Sequence, residues 1–63
     1  MEYSKRFNGK RFYWYGWTSV EEHALDSQAR LTARGKLVII EEGVGKYPNS
    51  AIMGWNIWQR PNN

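Results

Sequence analysis

Lys5-Arg6-Phe7-Asn8-Gly9-Lys10-Arg11-Phe12-Tyr13-Trp14 is the stretch that decides the fold. Asn-Gly between two runs of basic and aromatic residues is the strongest short-range signal for a two-residue type I′ turn, because both turn positions must accept positive φ. The spacing predicts a hairpin over about residues 2 to 7 and 10 to 17. A two-residue turn sets Phe7 opposite Lys10, Arg6 opposite Arg11, Lys5 opposite Phe12, Ser4 opposite Tyr13 and Tyr3 opposite Trp14. Alternation then gives one face Tyr3, Lys5, Phe7, Lys10, Phe12 and Trp14, and the other Ser4, Arg6, Arg11, Tyr13, Tyr15 and Trp17.

Downstream, Thr18-Ser19-Val20-Glu21-Glu22 reads as a helix start with a hydroxyl cap and a glutamate three residues on. Glu21, Glu22 and Asp26 suit the positive end of the helix dipole. Arg30 and Arg34 suit the negative end, and Gly35 supplies a left-handed stop. The helix is expected to run to Arg34 with a thin apolar face of Val20, Ala24, Leu25, Ala29 and Leu31. Leu37-Val38-Ile39-Ile40 is a strand ended by Glu41-Glu42-Gly43, and a turn-rich loop through Pro48 leads to a last strand over about 51 to 59. Residues 60–63 read as a frayed tail. The order ββαββ predicts an α+β domain spanning 1–63: a four-stranded, mainly antiparallel sheet with one helix on one face.

The chain has 63 residues, so it forms one domain and has no room for a cofactor domain beside a substrate domain. It contains no cysteine, which removes disulfides, thiolate metal sites and thiol nucleophiles, and favours a cytoplasmic location. The aliphatic run from Leu37 to Ile40 is too short for a membrane span or a signal peptide, so no membrane partner is expected. The formal charge is +3. Its whole excess lies in the first eleven residues, where Lys5, Arg6, Lys10 and Arg11 face Glu2 alone, and the rest of the chain is balanced. Such a localised basic element points to a polyanionic partner.

Large aromatic residues fall on both faces of the first hairpin. In the last strand Met53, Trp55 and Ile57 alternate with Ile52 and Trp58. A single helix covers one face only, so an aromatic row should remain for a partner. Parity allows two assignments. We take the one that puts Phe7, Phe12 and Trp14 under the helix with Lys5 and Lys10 at its rim, leaving Arg6, Arg11, Tyr13, Tyr15 and Trp17 in water. The opposite assignment buries Tyr13, Tyr15 and Trp17. Arg6 opposite Arg11 is a like-charge pair that an anion would relieve.

No catalytic centre, metal site or cofactor is expected. Ser19, His23 and Asp26 share a helical face without an oxyanion donor, and the adjacent Glu41 and Glu42 point to opposite faces. Gly43-Val44-Gly45-Lys46 lacks the spacing of a phosphate loop.

Gly9-Lys10-Arg11-Phe12-Tyr13-Trp14-Tyr15-Gly16, followed by Thr18-Ser19-Val20-Glu21-Glu22, Ala24, Asp26, Ala29 and Gly35, resembles the sheet-plus-helix DNA-binding domains of the plant ethylene-response-factor type and of integrase arm-binding type. The likeness covers about residues 9 to 35. It implies DNA reading through the sheet face away from the helix, with contact roles for Arg6, Arg11, Tyr13 and Tyr15. Those domains have three strands before the helix, whereas this chain has one hairpin before it and another after. The strand-helix-strand phrase is also similar to peptidoglycan-binding sporulation-repeat modules, but Gly43 to Ser50 is too short for their second helix.

The expected function is nucleic-acid binding, with DNA as the partner, through Lys5, Arg6, Lys10, Arg11, Tyr13, Tyr15 and Trp17. The alternative is a protein-interaction module or homodimer using Trp17, Trp55 and Trp58.

Overall fold

The computed structural model describes residues 4–44 and 53–62. In chain order these form β1 (Ser4–Phe7), β2 (Lys10–Thr18), α1 (Glu21–Ala33), β3 (Lys36–Val44) and β4 (Met53–Pro61). The fold is α+β, with one open sheet of order β1-β2-β4-β3 and every neighbouring pair antiparallel. Because β2 and β3 are each antiparallel to β4, they run parallel to one another, and α1 is the crossover between them. The expected positions of Tyr3, Ile52, the 45–50 loop and the start of the last strand lie outside the described residues.

The first turn forms as its sequence dictates. Asn8 and Gly9 have φ of 52° and 78°, and the strands pair Phe7 with Lys10, Arg6 with Arg11, Lys5 with Phe12 and Ser4 with Tyr13. At the end of the helix, Gly35 takes φ of 82° and its N–H donates to the Thr32 carbonyl at 3.0 Å. The capping box does not form. Val20 occupies the N-cap without a side-chain bond, and the Thr18 hydroxyl accepts instead from the Val20 N–H at 3.1 Å. That local turn uses the hydroxyl before the helix begins.

Two strands run further than expected. β3 continues through Glu41, Glu42 and Gly43, and β4 takes in Arg60 and Pro61, which pair with Leu37 and Lys36. Residues 60 and 61 are therefore sheet rather than tail.

The assignment of faces is reversed from expectation. The core under the helix joins Ala24 and Leu31 to Ile57, with Val38, Ile40 and Trp55 packed around them. Cross-strand partners share a face, so Val38 carries Gln59, and Gln59 carries Tyr13, to the helix side. Ser4, Arg6 and Arg11 follow Tyr13 by alternation. Phe7, Phe12 and Trp14 consequently lie on the face away from the helix. Ala24 and Leu31 seat on Ile57 among the aliphatic Val38 and Ile40 and the single ring of Trp55, whereas the other face carries Phe7, Phe12, Trp14 and Trp58 together.

The face without a helix shelters itself. Lys5 on β1 pairs with Glu41 on β3, joining the two edges of the sheet. Those edges stand three strand spacings apart, roughly 14 Å in a flat sheet, so the sheet must curl for these side chains to meet. Inside the curl Trp58 is 0% exposed and Phe12 is buried. Phe7 packs edge-on to Phe12 at 5.5 Å and tilts against Trp58 at 5.9 Å. Each indole there has an acceptor: Trp14 Nε1 donates to Asn56 Oδ1 at 3.0 Å, Trp17 Nε1 to the Gly43 carbonyl at 3.2 Å, and Trp58 Nε1 to Glu41 Oε1 at 3.2 Å. A buried indole N–H left unbonded would cost about 1–3 kcal/mol, so these bonds let the rings pack against one another with their polar atoms satisfied.

Candidate nucleic-acid interface

Two features of β2 shape the site. The first is a bulge: Tyr13 pairs with Gln59 and Trp14 with Trp58, but the next partner of β4, Ile57, meets Gly16. Trp14 and Tyr15 together oppose Trp58, which shifts the alternation by one residue. Trp17 therefore joins Trp14 on the curled face, where its ring lies against Gly54. The expectation that grouped Trp17 with Tyr13 fails for this reason. Gly16, an isolated glycine inside a strand, was the available signal.

The second feature is a change of partner. β2 pairs with β1 from Lys10 to Tyr13 and with β4 from Tyr13 to Thr18, overlapping only at Tyr13. The next bonded pair toward the turn would be Arg11 with Pro61, and Pro61 has no N–H to give. Beyond that point the hairpin continues as a two-stranded ribbon.

On this ribbon Arg6 and Arg11 are exposed partners on the helix side, beside the helix rather than beneath it. A two-residue turn makes Phe7 and Lys10 the hydrogen-bonded pair, so Arg6 and Arg11 form a non-hydrogen-bonded pair. At that spacing the Cα atoms are only about 4.5 Å apart. Arg11 Nη1 donates to Ser4 Oγ at 2.8 Å, which orients its guanidinium. Neither arginine has a carboxylate partner among the described residues; the ion pairs there are Lys5 with Glu41 and Arg30 with Asp26. Tyr13 stands on the same face at 53% exposure, and Tyr15, the extra residue of the bulge, is 49% exposed. Lys10 is exposed at the turn.

The other candidate residues divide differently. Lys5 is on the curled face and engaged by Glu41, with its ammonium 5.2 Å from the centre of the Phe7 ring. Trp55 is half-buried beneath the helix, Trp17 is half-buried on Gly54, and Trp58 is enclosed. These indoles do not form an open row for a partner. The resemblance implied contacts through the face away from the helix, but the aromatic network occupies that face, and Arg6, Arg11 and Tyr13 are on the other. Sequence reading missed Ser4 as the residue that orients Arg11, and Gln59 as the neighbour of Tyr13; the latter depends on a β2–β4 register that only the fold reveals.

Ser19, His23 and Asp26 are all exposed, and Ser19 precedes the first helical residue, so the three do not share a helical face. Among the described residues no group of three His, Asp or Glu side chains is placed to hold a metal ion, and no helix is long and apolar enough to cross a membrane. The chain matches no protein-family model, and no curated protein or solved structure matches it.

Proposed function

We propose that the β1–β2 ribbon binds nucleic acid, with duplex DNA as its first ligand. Arg6, Lys10 and Arg11 neutralise phosphates, while Tyr13 and Tyr15 offer their rings to bases or sugars. The observation that carries this reading is the Arg6–Arg11 pair: two guanidinium groups without a carboxylate partner among the described residues, at the closest cross-strand spacing and beside an exposed tyrosine. Like charges directly opposite one another are unfavourable, and a phosphate between them converts that repulsion into attraction. A two-stranded ribbon is also narrow enough to enter the major groove. Lys5, held by Glu41, contributes little, and Trp17 packs on Gly54 within the β2–β4 part of the sheet, away from the ribbon.

The test is a titration of a fluorophore-labelled duplex, and of a single strand, at 50 and 200 mM salt. Binding that weakens steeply with salt, and that Arg6→Ala with Arg11→Ala abolishes for unrelated sequences alike, supports the reading. Absence of binding at the lower salt concentration overturns it.

A further inference from the structure

β3 is a nine-residue edge strand bonded to β4 on one side and open on the other among the described residues. The opposite edge, β1, has four residues and carries Lys5 and Arg6, the kind of short, charged edge that resists pairing with another chain. β3 has no such guard at its centre. Leu37-Val38-Ile39-Ile40 lies between Lys36 and the Glu41-Glu42 pair.

The phase of the ladder identifies the open groups. The Asn62 N–H donates to the Gly35 carbonyl at 3.1 Å, just beyond the Lys36–Pro61 pair. Antiparallel alternation then bonds Leu37, Ile39, Glu41 and Gly43 to β4, and turns the N–H and C=O groups of Lys36, Val38, Ile40 and Glu42 to the open edge. Pro61, opposite Lys36 in a non-bonded pair, owes β3 no donor, which agrees with this phase.

We propose that β3 pairs antiparallel with β3 of a second copy of this chain, about a two-fold axis at Ile39. Lys36 then stands opposite Glu42, Val38 opposite Ile40, and Ile39 opposite itself. Outward-pointing residues must face outward-pointing residues, which discards every register that sets Ile39 against Ile40. Centring on Val38 sets Lys36 against Ile40. Centring on Ile40 sets Lys36 against Val44 and Val38 against Glu42. Centring on Ile39 sets Lys36 against Glu42 and, by symmetry, repeats that pair; Glu41 falls opposite Leu37 but is already held by Lys5 and Trp58 of its own chain.

The helices permit this arrangement. The axis is perpendicular to the sheet, so both helices lie on the same side. Each packs over β3 and β4, which puts them about two strand spacings, ~10 Å, apart, the separation of packed helices. Leu25, 52% exposed, lies about 100° around α1 from the buried Ala24. A right-handed crossover turns that flank toward the open edge and the second helix.

The test needs no nucleic acid. Sedimentation equilibrium of the full chain from micromolar to millimolar should show a monomer–dimer equilibrium. Lys36→Glu and Glu42→Lys should each raise the dimer Kd roughly tenfold, because two attractive pairs become two repulsive ones. The two substitutions combined should restore it. In the unaltered chain, hydrogen exchange at the Val38 and Ile40 amides should slow as concentration rises, while the Leu37 and Ile39 amides stay protected throughout. A monomer at every concentration overturns the proposal, as does a dimer indifferent to the single reversals or lacking the alternating protection. Near-UV circular dichroism of the tryptophans reports whether each variant is folded, and the exchange experiment decides even if one is not.

Discussion

Gly54 sits where β4 passes beneath Trp17. A Cβ built there would lie 2.3 Å from the Thr18 carbonyl oxygen and 2.7 Å from the nearest Trp17 ring atom. The oxygen belongs to the β2 backbone and cannot swing aside, so Gly54→Ala must move the two strands apart. Overpacking of this kind costs about 1–3 kcal/mol, read as a fall in the urea midpoint at unchanged slope. Gly43, its partner across the ladder, is the control: among the described residues its added Cβ would meet only Asn56 Nδ2, at an ordinary 3.9 Å. Gly43→Ala should stay within about 0.5 kcal/mol of the unaltered chain. The arginine pair gives the opposite sign. Arg6→Thr removes a like-charge contact and introduces a β-branched residue suited to a strand, so stability should rise by roughly 0.2–1 kcal/mol. A gain in stability joined to a loss of nucleic-acid affinity is the pattern of a residue kept for binding. A loss of stability would mean that Arg6 is structural.

β2 combines a projecting ribbon with a central sheet strand, and Pro61 marks where one becomes the other. The Pro61 carbonyl accepts from its neighbour Arg60 at 3.4 Å, and its nitrogen has no proton to extend the ladder toward Arg11. Pro61→Ala should lengthen the β2–β4 pairing by one bonded pair, and the Arg11 amide should exchange more slowly. Unchanged exchange at Arg11 would show that something else ends the ladder. Much of this element was legible in the sequence. Asn8-Gly9 specifies the turn, the turn specifies the register through Ser4 and Tyr13, and Gly35 ends the helix, each by a local rule acting over a few residues. The faces were not legible. Alternation counted past Gly16 without allowing for the bulge puts Trp17 with Tyr13. The choice of face for the helix depends on how Ala24 and Leu31 fit Ile57, a contact between residues distant along the chain. Lys5 and Arg6 show the same divide: neighbours in one basic cluster, they have different fates because Glu41 arrives from the far edge of the sheet.

At the scale of the molecule, curling the sheet removes one of the four hairpin cations from use. The linear charge pattern offers Lys5, Arg6, Lys10 and Arg11 as equivalent phosphate contacts. In the folded chain all four are exposed, but Lys5 is paired with Glu41, whereas Arg6, Lys10 and Arg11 have no carboxylate partner among the described residues, Lys10 lying at the turn on the same face as Lys5. Counterion release turns this difference into a measurable slope. Each phosphate neutralised on duplex DNA contributes about −0.9 to the dependence of log K on log salt, so contacts from Arg6, Lys10 and Arg11 should give a slope near −3. Arg6→Ala and Arg11→Ala should each bring it about one closer to zero, and Lys10→Ala should do the same if the turn reaches the backbone. Lys5→Ala should leave it almost unchanged, even though it lies next to Arg6 in sequence. Four equal decrements would mean that Lys5 leaves Glu41 for the DNA and that the sheet opens on binding. A slope insensitive to all four substitutions would place the DNA contact elsewhere on the molecule.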